Sequence, residues 1–236
     1  VGHEHLAALG RPGWSWASEL WQPVPMSSAI DLPAYLARLG LAEAPPPTLA
    51  GLQALHLAHA THIPFENLDI QMGLGIHLDL EHLQAKLVAR RRGGYCFEHN
   101  TLFMAALQAL GFAVEPCEAR VRLGTTELLP RTHMVLRVLL PDGPYLADVG
   151  FGGQGLLHPL AMNGEPQRVF MDELRVLEEG SLRVLQTRQG QEWQDLYAFV
   201  PEARAPSEFE LANWFTRTHP ESRFVKPLPA QLPGPE

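Results

Sequence analysis

The chain has 236 residues, 46% of them hydrophobic, and a formal net charge of −8. This length and apolar content suit one large domain or two small ones with a sizeable core. The negative charge argues against binding to nucleic acid or to an anionic membrane, and no apolar run reaches the ~18 residues that a transmembrane helix needs.

The first 25 residues differ from the rest of the chain. They begin with Val1 and hold Trp14, Trp16 and Trp21 among glycines and prolines. They lack the basic start and the apolar centre of a signal peptide. We interpret residues 1–25 as an atypical N-terminal extension, with Met26 as a candidate natural start.

Residues 31–111 have a helical hydrophobic period. Capping residues and terminating glycines or prolines set the boundaries of four predicted helices. These helices cover residues 32–39 after Asp31, 49 to about 61 after Thr48, 80 to about 91 after Asp79, and 96 to about 110 before Gly111.

Cys96 lies in the first turn of the fourth predicted helix, directly after Gly93, Gly94 and Tyr95. The unpaired N–H groups and the positive end of the helix dipole favour a thiolate there, which predicts a lowered pKa. Arg90–Arg92 add positive charge nearby. The alternative is a buried structural cysteine, but the glycine turn and the arginine run favour a nucleophile.

The other cysteine, Cys117, follows a proline at what the pattern indicates is a strand edge, and we interpret it as a passive thiol. Two cysteines in a chain of this length do not make a disulfide framework. They fit a reducing cytoplasm.

After Gly111 the period shortens to that of strands. The predicted strands are residues 113–123, 133–140, 145–149, 168–170, 182–186 and 193–200. Helices first and strands later indicate an α+β fold. From Pro201 onward the chain becomes polar and proline-rich, which predicts a disordered tail.

His133 begins one predicted strand and Asp148 ends the next, so Cys96, His133 and Asp148 could form an acyl-transfer triad. The hairpin between them raises a difficulty. A two-residue Asp142-Gly143 turn would pair Arg137 with Asp148 and leave His133 about 13 Å along the strand. The hypothesis therefore needs a bulge or a different pairing of the strands.

Three further patterns in the sequence bear on function. His56, His59 and His62 spread over a wide arc of one helix without a carboxylate or thiol at ligand spacing, so we expect surface histidines and no metal. The loop 150–155 lacks the lysine of a phosphate-binding loop, so we expect flexible backbone near the active site. Glu98 and Asn100 are expected to support the helix start and the surroundings of the thiol.

Several separate motifs, in chain order, resemble those of the arylamine N-acetyltransferases. The resemblance covers residues from about 31 to 225. The motifs are Ile63-Pro64-Phe65-Glu66-Asn67-Leu68, Arg92-Gly93-Gly94-Tyr95-Cys96-Phe97-Glu98-His99-Asn100, Thr132-His133-Met134 and Asp148-Val149-Gly150-Phe151-Gly152.

This resemblance implies ping-pong acetyl transfer from acetyl-CoA to an arylamine or hydrazine, with no bound cofactor. Cys96 would carry the acetyl group as a thioester and would be largely ionised, His133 would be the base, and Asp148 would orient His133. By position, Phe65 and Val121 match residues of the acceptor pocket. The stretch from Phe215 to Ser222 resembles a CoA-contacting segment.

The resemblance also implies the architecture. Residues 26–111 would form a helical bundle that carries the nucleophile, 112–200 a β-barrel domain that carries His133 and Asp148, and 201–236 the remnant of a shortened C-terminal α/β lid with a proline-rich tail. Three alternatives stay open: a cysteine hydrolase, an amide synthase with the same triad, and an inactive truncated remnant.

Overall fold

A computed structural model describes residues 29–125, 127–226 and 228–234. The extension predicted for residues 1–25 and the candidate start at Met26 lie outside this part of the chain. The helices are α1 (Leu32–Arg38), α2 (Leu49–His62), α3 (Leu68–Gln71), α4 (Leu80–Leu83), α5 (Cys96–Ala109) and α6 (Pro206–Thr218). The strands are β1 (Phe65–Glu66), β2 (Ala113–Val121), β3 (His133–Leu140), β4 (Gly143–Ala147), β5 (Leu160–Ala161), β6 (Gln167–Val169), β7 (Asp172–Glu179), β8 (Leu182–Gln189), β9 (Glu192–Phe199) and β10 (Ala230–Gln231).

The α+β prediction is confirmed. Eight strands form one antiparallel sheet in the order β5-β4-β3-β2-β9-β8-β7-β6. The sheet curls until its two ends meet. The side chain of Gln167 on β6 joins these ends through two hydrogen bonds of 2.8 and 2.9 Å with the backbone of Ala161 on β5. The result is a nearly closed barrel with the helices packed outside it.

The predicted caps begin three of the helices. The side chains of Asp31, Thr48 and Asp79 accept backbone N–H groups of the first turns of α1, α2 and α4, at 3.0, 3.2 and 3.0 Å, as N-cap residues do. Helix α4 is shorter than predicted, because its last turns are a π-helix, Gln84–Ala89. None of the helices in the described residues is long and apolar enough to cross a membrane.

Two apolar cores hold the parts together. One core joins α1, α2 and α5 to one face of β3 and β4, and it contains Tyr35, Leu55, Phe103 and Leu136. The other core fills the barrel. Cys117 belongs to this second core: it lies inside β2, which pairs with both β3 and β9, so the prediction of a strand edge is wrong. Burial raises the pKa of the Cys117 thiol to about 11, which suits a passive group.

The β3–β4 hairpin differs in register from the prediction by two residues. Leu140 pairs with Gly143 and Leu136 with Ala147, so the turn residues are Pro141 and Asp142. Proline suits the first central position of such a turn. Continued by one residue, this register sets Asp148 opposite Val135, which is about 7 Å from His133 rather than 13 Å and on the same face of the strand.

The disorder predicted after Pro201 is wrong for two segments. Helix α6 begins with Pro206, where a missing N–H group costs no hydrogen bond, and buries Phe209, Ala212 and Thr216 at helical spacing. Farther along, β10 pairs antiparallel with β1 beside the start of α5. Both segments bring side chains to the site described next.

Candidate active site

A cavity of ≈ 610 Å³ opens at the N-terminus of α5, and both Cys96 and His133 line it. All four residues predicted to contact substrates also line it: Phe65, Val121, Phe215 and Ser222. The wall is mainly apolar, with Leu123, Leu129, Pro130, Phe151 and Phe224 among its members. Asp148 lies behind His133 and is fully buried.

Cys96 is the first residue of α5 and is 2% exposed. The loop after Asp148 passes very close to it: a Cβ atom on Gly150 would lie 2.8 Å from the Cα atom of Cys96 and 2.9 Å from its carbonyl oxygen. Only a glycine fits that approach. The loop predicted to be flexible backbone near the active site therefore packs directly against the backbone of Cys96.

The pKa of the Cys96 thiol is raised, not lowered as its helix position predicts. Burial is the main cause and the charge of Asp148 adds to it, while backbone hydrogen bonds of Met134 and Phe97 oppose both. An isolated thiolate is therefore unfavourable here.

His133 and Asp148 form a buried pair, with the Nε2 atom of His133 2.6 Å from the Oδ2 atom of Asp148. A carboxylate only accepts hydrogen bonds, so Nε2 carries the proton and Nδ1 is the free base. Burial alone would raise the pKa of Asp148, but the positive charge that His133 carries when protonated, the hydrogen bond of His133, and the hydrogen bonds of Asn100 and Gly150 hold it below its usual value. Asp148 is thus ionised and orients the imidazole.

Asn100, one turn after Cys96 on α5, ties the helix to the strands that carry the other two residues. Its amide nitrogen donates to the Met134 carbonyl at 2.8 Å and to the Oδ1 atom of Asp148 at 2.9 Å. Its oxygen accepts the Val149 N–H at 3.1 Å. Asn100 is fully buried, so it fixes the thiol relative to the histidine–aspartate pair.

We expect Asn100→Leu to destabilise the protein by ~3 kcal/mol, because two buried acceptors and one buried N–H group each lose a hydrogen bond. Urea unfolding measures the change. Asn163→Leu is the control, since Asn163 accepts only an exposed N–H group of Glu165. A loss at Asn100 no larger than the loss at Asn163 would contradict this role.

A set of charges, all buried except the half-buried Arg92, lies under the turn that precedes Cys96, and we call it the ion network. It consists of Glu66, Asp69, Lys86, Arg92 and Glu98. The Lys86 ammonium lies 2.6 Å from Asp69 and 2.7 Å from Glu98. The Arg92 guanidinium lies 2.9 Å from Glu66 and 2.8 Å from Asp69.

The predicted effect of the arginine run on the thiol is therefore wrong for Arg92. Arg92 is neutralised by the ion network, and Arg90 is exposed and donates to the Ala85 carbonyl at 3.1 Å. Glu98 supports the helix start as predicted, since its Oε2 atom accepts the Tyr95 N–H at 3.1 Å. Burial raises the pKa of Glu98 to about 7, although Lys86 opposes the shift.

The surface position expected for the α2 histidines is wrong for two of them. His56 and His59 are fully buried and only His62 is exposed. The Nε2 atom of His56 accepts the backbone N–H of Asp148 at 3.2 Å, so this histidine helps to position the carboxylate. The sequence shows His56 only as one of three histidines at helical spacing, and this spacing does not indicate the contact with Asp148.

His59 belongs to a buried chain of hydrogen bonds that runs from Tyr35 to the carbonyl of Pro64. Tyr35 lies 2.7 Å from the Nδ1 atom of His59, His59 2.9 Å from His99, and His99 3.0 Å from that carbonyl. Burial lowers the pKa of His99 to about 4. Both histidines are therefore neutral and join α1 and α2 to α5.

Two aromatic rings hold the His133 imidazole from the barrel side and were not identified from the sequence. The ring centroids of Phe151 and Tyr197 both lie 5.1 Å from that of His133. Phe151 belongs to the motif that contains Asp148. Tyr197 comes from β9, which is distant in the chain, so no local pattern indicates it.

An α+β fold that places a thiol at a helix N-terminus and an imidazole at one apolar cavity, with a buried carboxylate behind the imidazole, is typical of enzymes that transfer acyl groups through a cysteine. A family model described as N-acetyltransferase matches residues 48–236. The chain belongs to the arylamine N-acetyltransferase family and is an acyltransferase.

Individual relatives agree with this assignment. The arylamine N-acetyltransferase of Mycolicibacterium smegmatis is 44% identical over 207 residues, which are 85% of this chain and 75% of the relative. The solved structure of the Salmonella typhimurium enzyme matches with a TM-score of 0.82 and 42% identity over 86% of this chain and 75% of that one. The Mycobacterium marinum enzyme in complex with CoA matches with a TM-score of 0.80 and 41% identity over 85% of this chain and 76% of that one.

Proposed function

We propose that the protein moves an acetyl group from acetyl-CoA to an arylamine or hydrazine by a ping-pong mechanism through a thioester on Cys96. One observation carries the proposal: Cys96 and a histidine already oriented by a buried aspartate line the same apolar cavity. The relatives are named for transfer to arylamines, and one matching structure contains CoA. These names support the choice of both substrates.

The first half-reaction acetylates the enzyme. His133 takes the thiol proton on Nδ1, and the Cys96 sulfur attacks the acetyl carbonyl carbon of acetyl-CoA. The bond from that carbon to the CoA sulfur breaks, and His133 returns its proton to the leaving CoA thiolate. Asp148 stabilises the transient imidazolium, which is why the buried thiol can react despite its raised pKa.

The second half-reaction frees the enzyme. The nitrogen of the amine attacks the thioester carbonyl carbon, and His133 removes the proton that the nitrogen loses. The carbon–sulfur bond then breaks, and the Cys96 thiolate recovers the proton from His133. Because the cavity is mainly apolar, water is a poor competitor for the aromatic amine.

We assign the walls of the cavity to the two substrates by position. Phe65 and Val121 would contact the aromatic acceptor, and the stretch from Phe215 to Ser222 would contact CoA. All four named residues border the cavity. Two unpaired cysteines fit a reducing compartment, which supports a cytoplasmic enzyme.

The test is to incubate the protein with acetyl-CoA in the presence and absence of an arylamine, and to measure intact and peptide masses. We expect one acetyl group on the peptide that contains Cys96, stable until the amine is added and then lost with formation of the N-acetyl product. The variant Cys96→Ser should form no adduct, because a neutral hydroxyl is a far weaker nucleophile.

Cys117→Ser is the matched control, since this thiol lies outside the cavity and should leave the adduct unchanged. Three outcomes would contradict the proposal. Rapid loss of the acetyl group without amine would favour a hydrolase. An adduct that persists in Cys96→Ser would show that Cys96 is not the nucleophile. No adduct on the wild-type protein would exclude acetyl-CoA as the donor.

A further inference from the structure

Three potential metal ligands meet on the surface where α4 begins: His77, Asp79 and His82. The Nδ1 atom of His82 lies 2.8 and 2.9 Å from the two oxygens of Asp79. The rings of His77 and His82 stack with centroids 4.4 Å apart. One ligand atom from each residue lies within 4.8 Å of the other two, and no other group of three or more such residues occurs in the part of the chain that the structure describes.

The backbone holds this arrangement in place. Asp79 is the N-cap of α4 and accepts the backbone N–H of His82 at 3.0 Å, so the carboxylate is fixed against the first turn. His82, three residues later, is on the same side of that turn. Gly75 leaves space next to His77, since a Cβ atom there would lie 3.3 Å from the Nε2 atom of this histidine.

We propose that His77, Asp79 and His82 bind one divalent transition-metal ion of the Zn²⁺, Co²⁺ or Ni²⁺ class. Two imidazole nitrogens and one carboxylate oxygen suit these ions, whereas Mg²⁺ and Ca²⁺ prefer oxygen ligands alone. The site is exposed, so water completes the coordination.

The distances fit such an ion after a small movement. Metal–ligand bonds of about 2.0–2.1 Å in a tetrahedron place the ligand atoms about 3.3 Å apart. The ligand atoms lie within 4.8 Å of one another, so no separation must close by more than about 1.5 Å, and rotation of exposed side chains achieves this. The Asp79–His82 pair opens slightly to admit the ion.

The expected consequence is a clamp rather than a catalytic centre, because none of the three residues lines the cavity. An ion held there joins residue 77 in the preceding loop to α4, which continues into the π-helix that carries Lys86. An ion that binds the folded chain and not the unfolded chain raises the melting temperature. The melting temperature is therefore a readout independent of acetyl transfer.

The site is tested by titrating the full chain with Co²⁺, followed by its visible absorption, and with Zn²⁺, followed by calorimetry. We expect one ion per chain and a higher melting temperature with metal. His77→Gln and His82→Gln should each weaken binding by at least about tenfold and remove the rise in melting temperature. His62→Gln, at another exposed histidine, is the matched control and should bind like the wild type.

Two results would overturn the proposal. Equal affinity in the wild type and in both ligand variants, or no binding at millimolar metal, would show that the cluster is not a site. A thiolate charge-transfer band that disappears in Cys96→Ser would place the ion on the catalytic thiol instead. Circular dichroism without metal tests whether each variant is folded. We expect both to be folded, because both keep the Asp79 cap.

Discussion

Asp148→Asn should lower kcat/KM for acetyl transfer by about 10³–10⁴-fold while the fold is retained. The amide oxygen of the new residue can still accept the hydrogen bonds of Asn100 and Gly150, so its NH₂ group must face His133. That group donates, and it forces the Nε2 atom of His133 to accept. The proton then moves to Nδ1, the nitrogen that would receive the thiol proton of Cys96.

The rate is measured as CoA release and as growth of the acetyl adduct on Cys96. The matched control is Asp195→Asn on β9, where the carboxylate pairs with Arg122 at 2.8 Å away from the cavity. This control makes the same chemical change and should keep the wild-type rate. A tenfold or smaller loss in Asp148→Asn would show that Asp148 does not set the tautomer of His133.

Local signals were enough to predict much of the fold. Capping side chains at Asp31, Thr48 and Asp79 placed three helix starts correctly, because an N-cap acts within one turn. Strand period placed β3 correctly from His133 to Leu140. The register of the hairpin was wrong by two residues, since either Asp142-Gly143 or Pro141-Asp142 could occupy the turn and the local sequence does not choose between them.

In the site, too, some features could be predicted from local sequence and others could not. Cys96, His133 and Asp148 were predicted as a triad from their motifs, and in the structure Cys96 and His133 line one cavity while Asp148 contacts His133 from behind. The direction of the thiol pKa was wrong, because helix position can be read from a sequence and burial beside a carboxylate cannot. The contacts of Lys86 and His56 with distant charged or backbone groups depend on tertiary packing, and no local pattern indicates them.

Other errors have physical reasons of the same kind. Pro206 and the prolines around Ala230 led to the prediction that the C-terminal region is disordered, although proline is tolerated in the first turn of a helix. A two-residue strand such as β10 is too short to have a recognisable period. The spacing of His77, Asp79 and His82 can be seen in the sequence. That their side chains meet depends on the conformation of the chain before α4, which the spacing does not give.

Lys86→Met should destabilise the protein by about 3–5 kcal/mol near neutral pH, the usual result of removing one partner from a buried ion pair. The Lys86 side chain is only 8% exposed and contacts two carboxylates, Asp69 and Glu98. Without the ammonium, the ion network holds three carboxylates against the single charge of Arg92. Urea unfolding at about pH 7.5 and about pH 5.5 measures the loss in free energy of unfolding above and below the pKa of Glu98.

The pH dependence follows from the pKa of Glu98, about 7 in the folded protein and about 4.3 in the unfolded chain. The folded state holds the proton more tightly, so the stability that Glu98 contributes is complete below about pH 4.3 and is lost as the pH rises through about 7. Protonated Glu98 needs no ammonium partner. The cost of Lys86→Met should therefore be smaller at the lower pH.

Two further variants identify the cause of the loss. Adding Glu98→Gln to Lys86→Met should recover about 1 kcal/mol or more near neutral pH, because the double variant buries one charge fewer. Arg188→Met breaks the exposed pair with Glu173 and should cost about 1 kcal/mol or less. If Lys86→Met costs no more than Arg188→Met, or costs the same at both pH values, then Lys86 acts through packing of its carbon chain and not through charge.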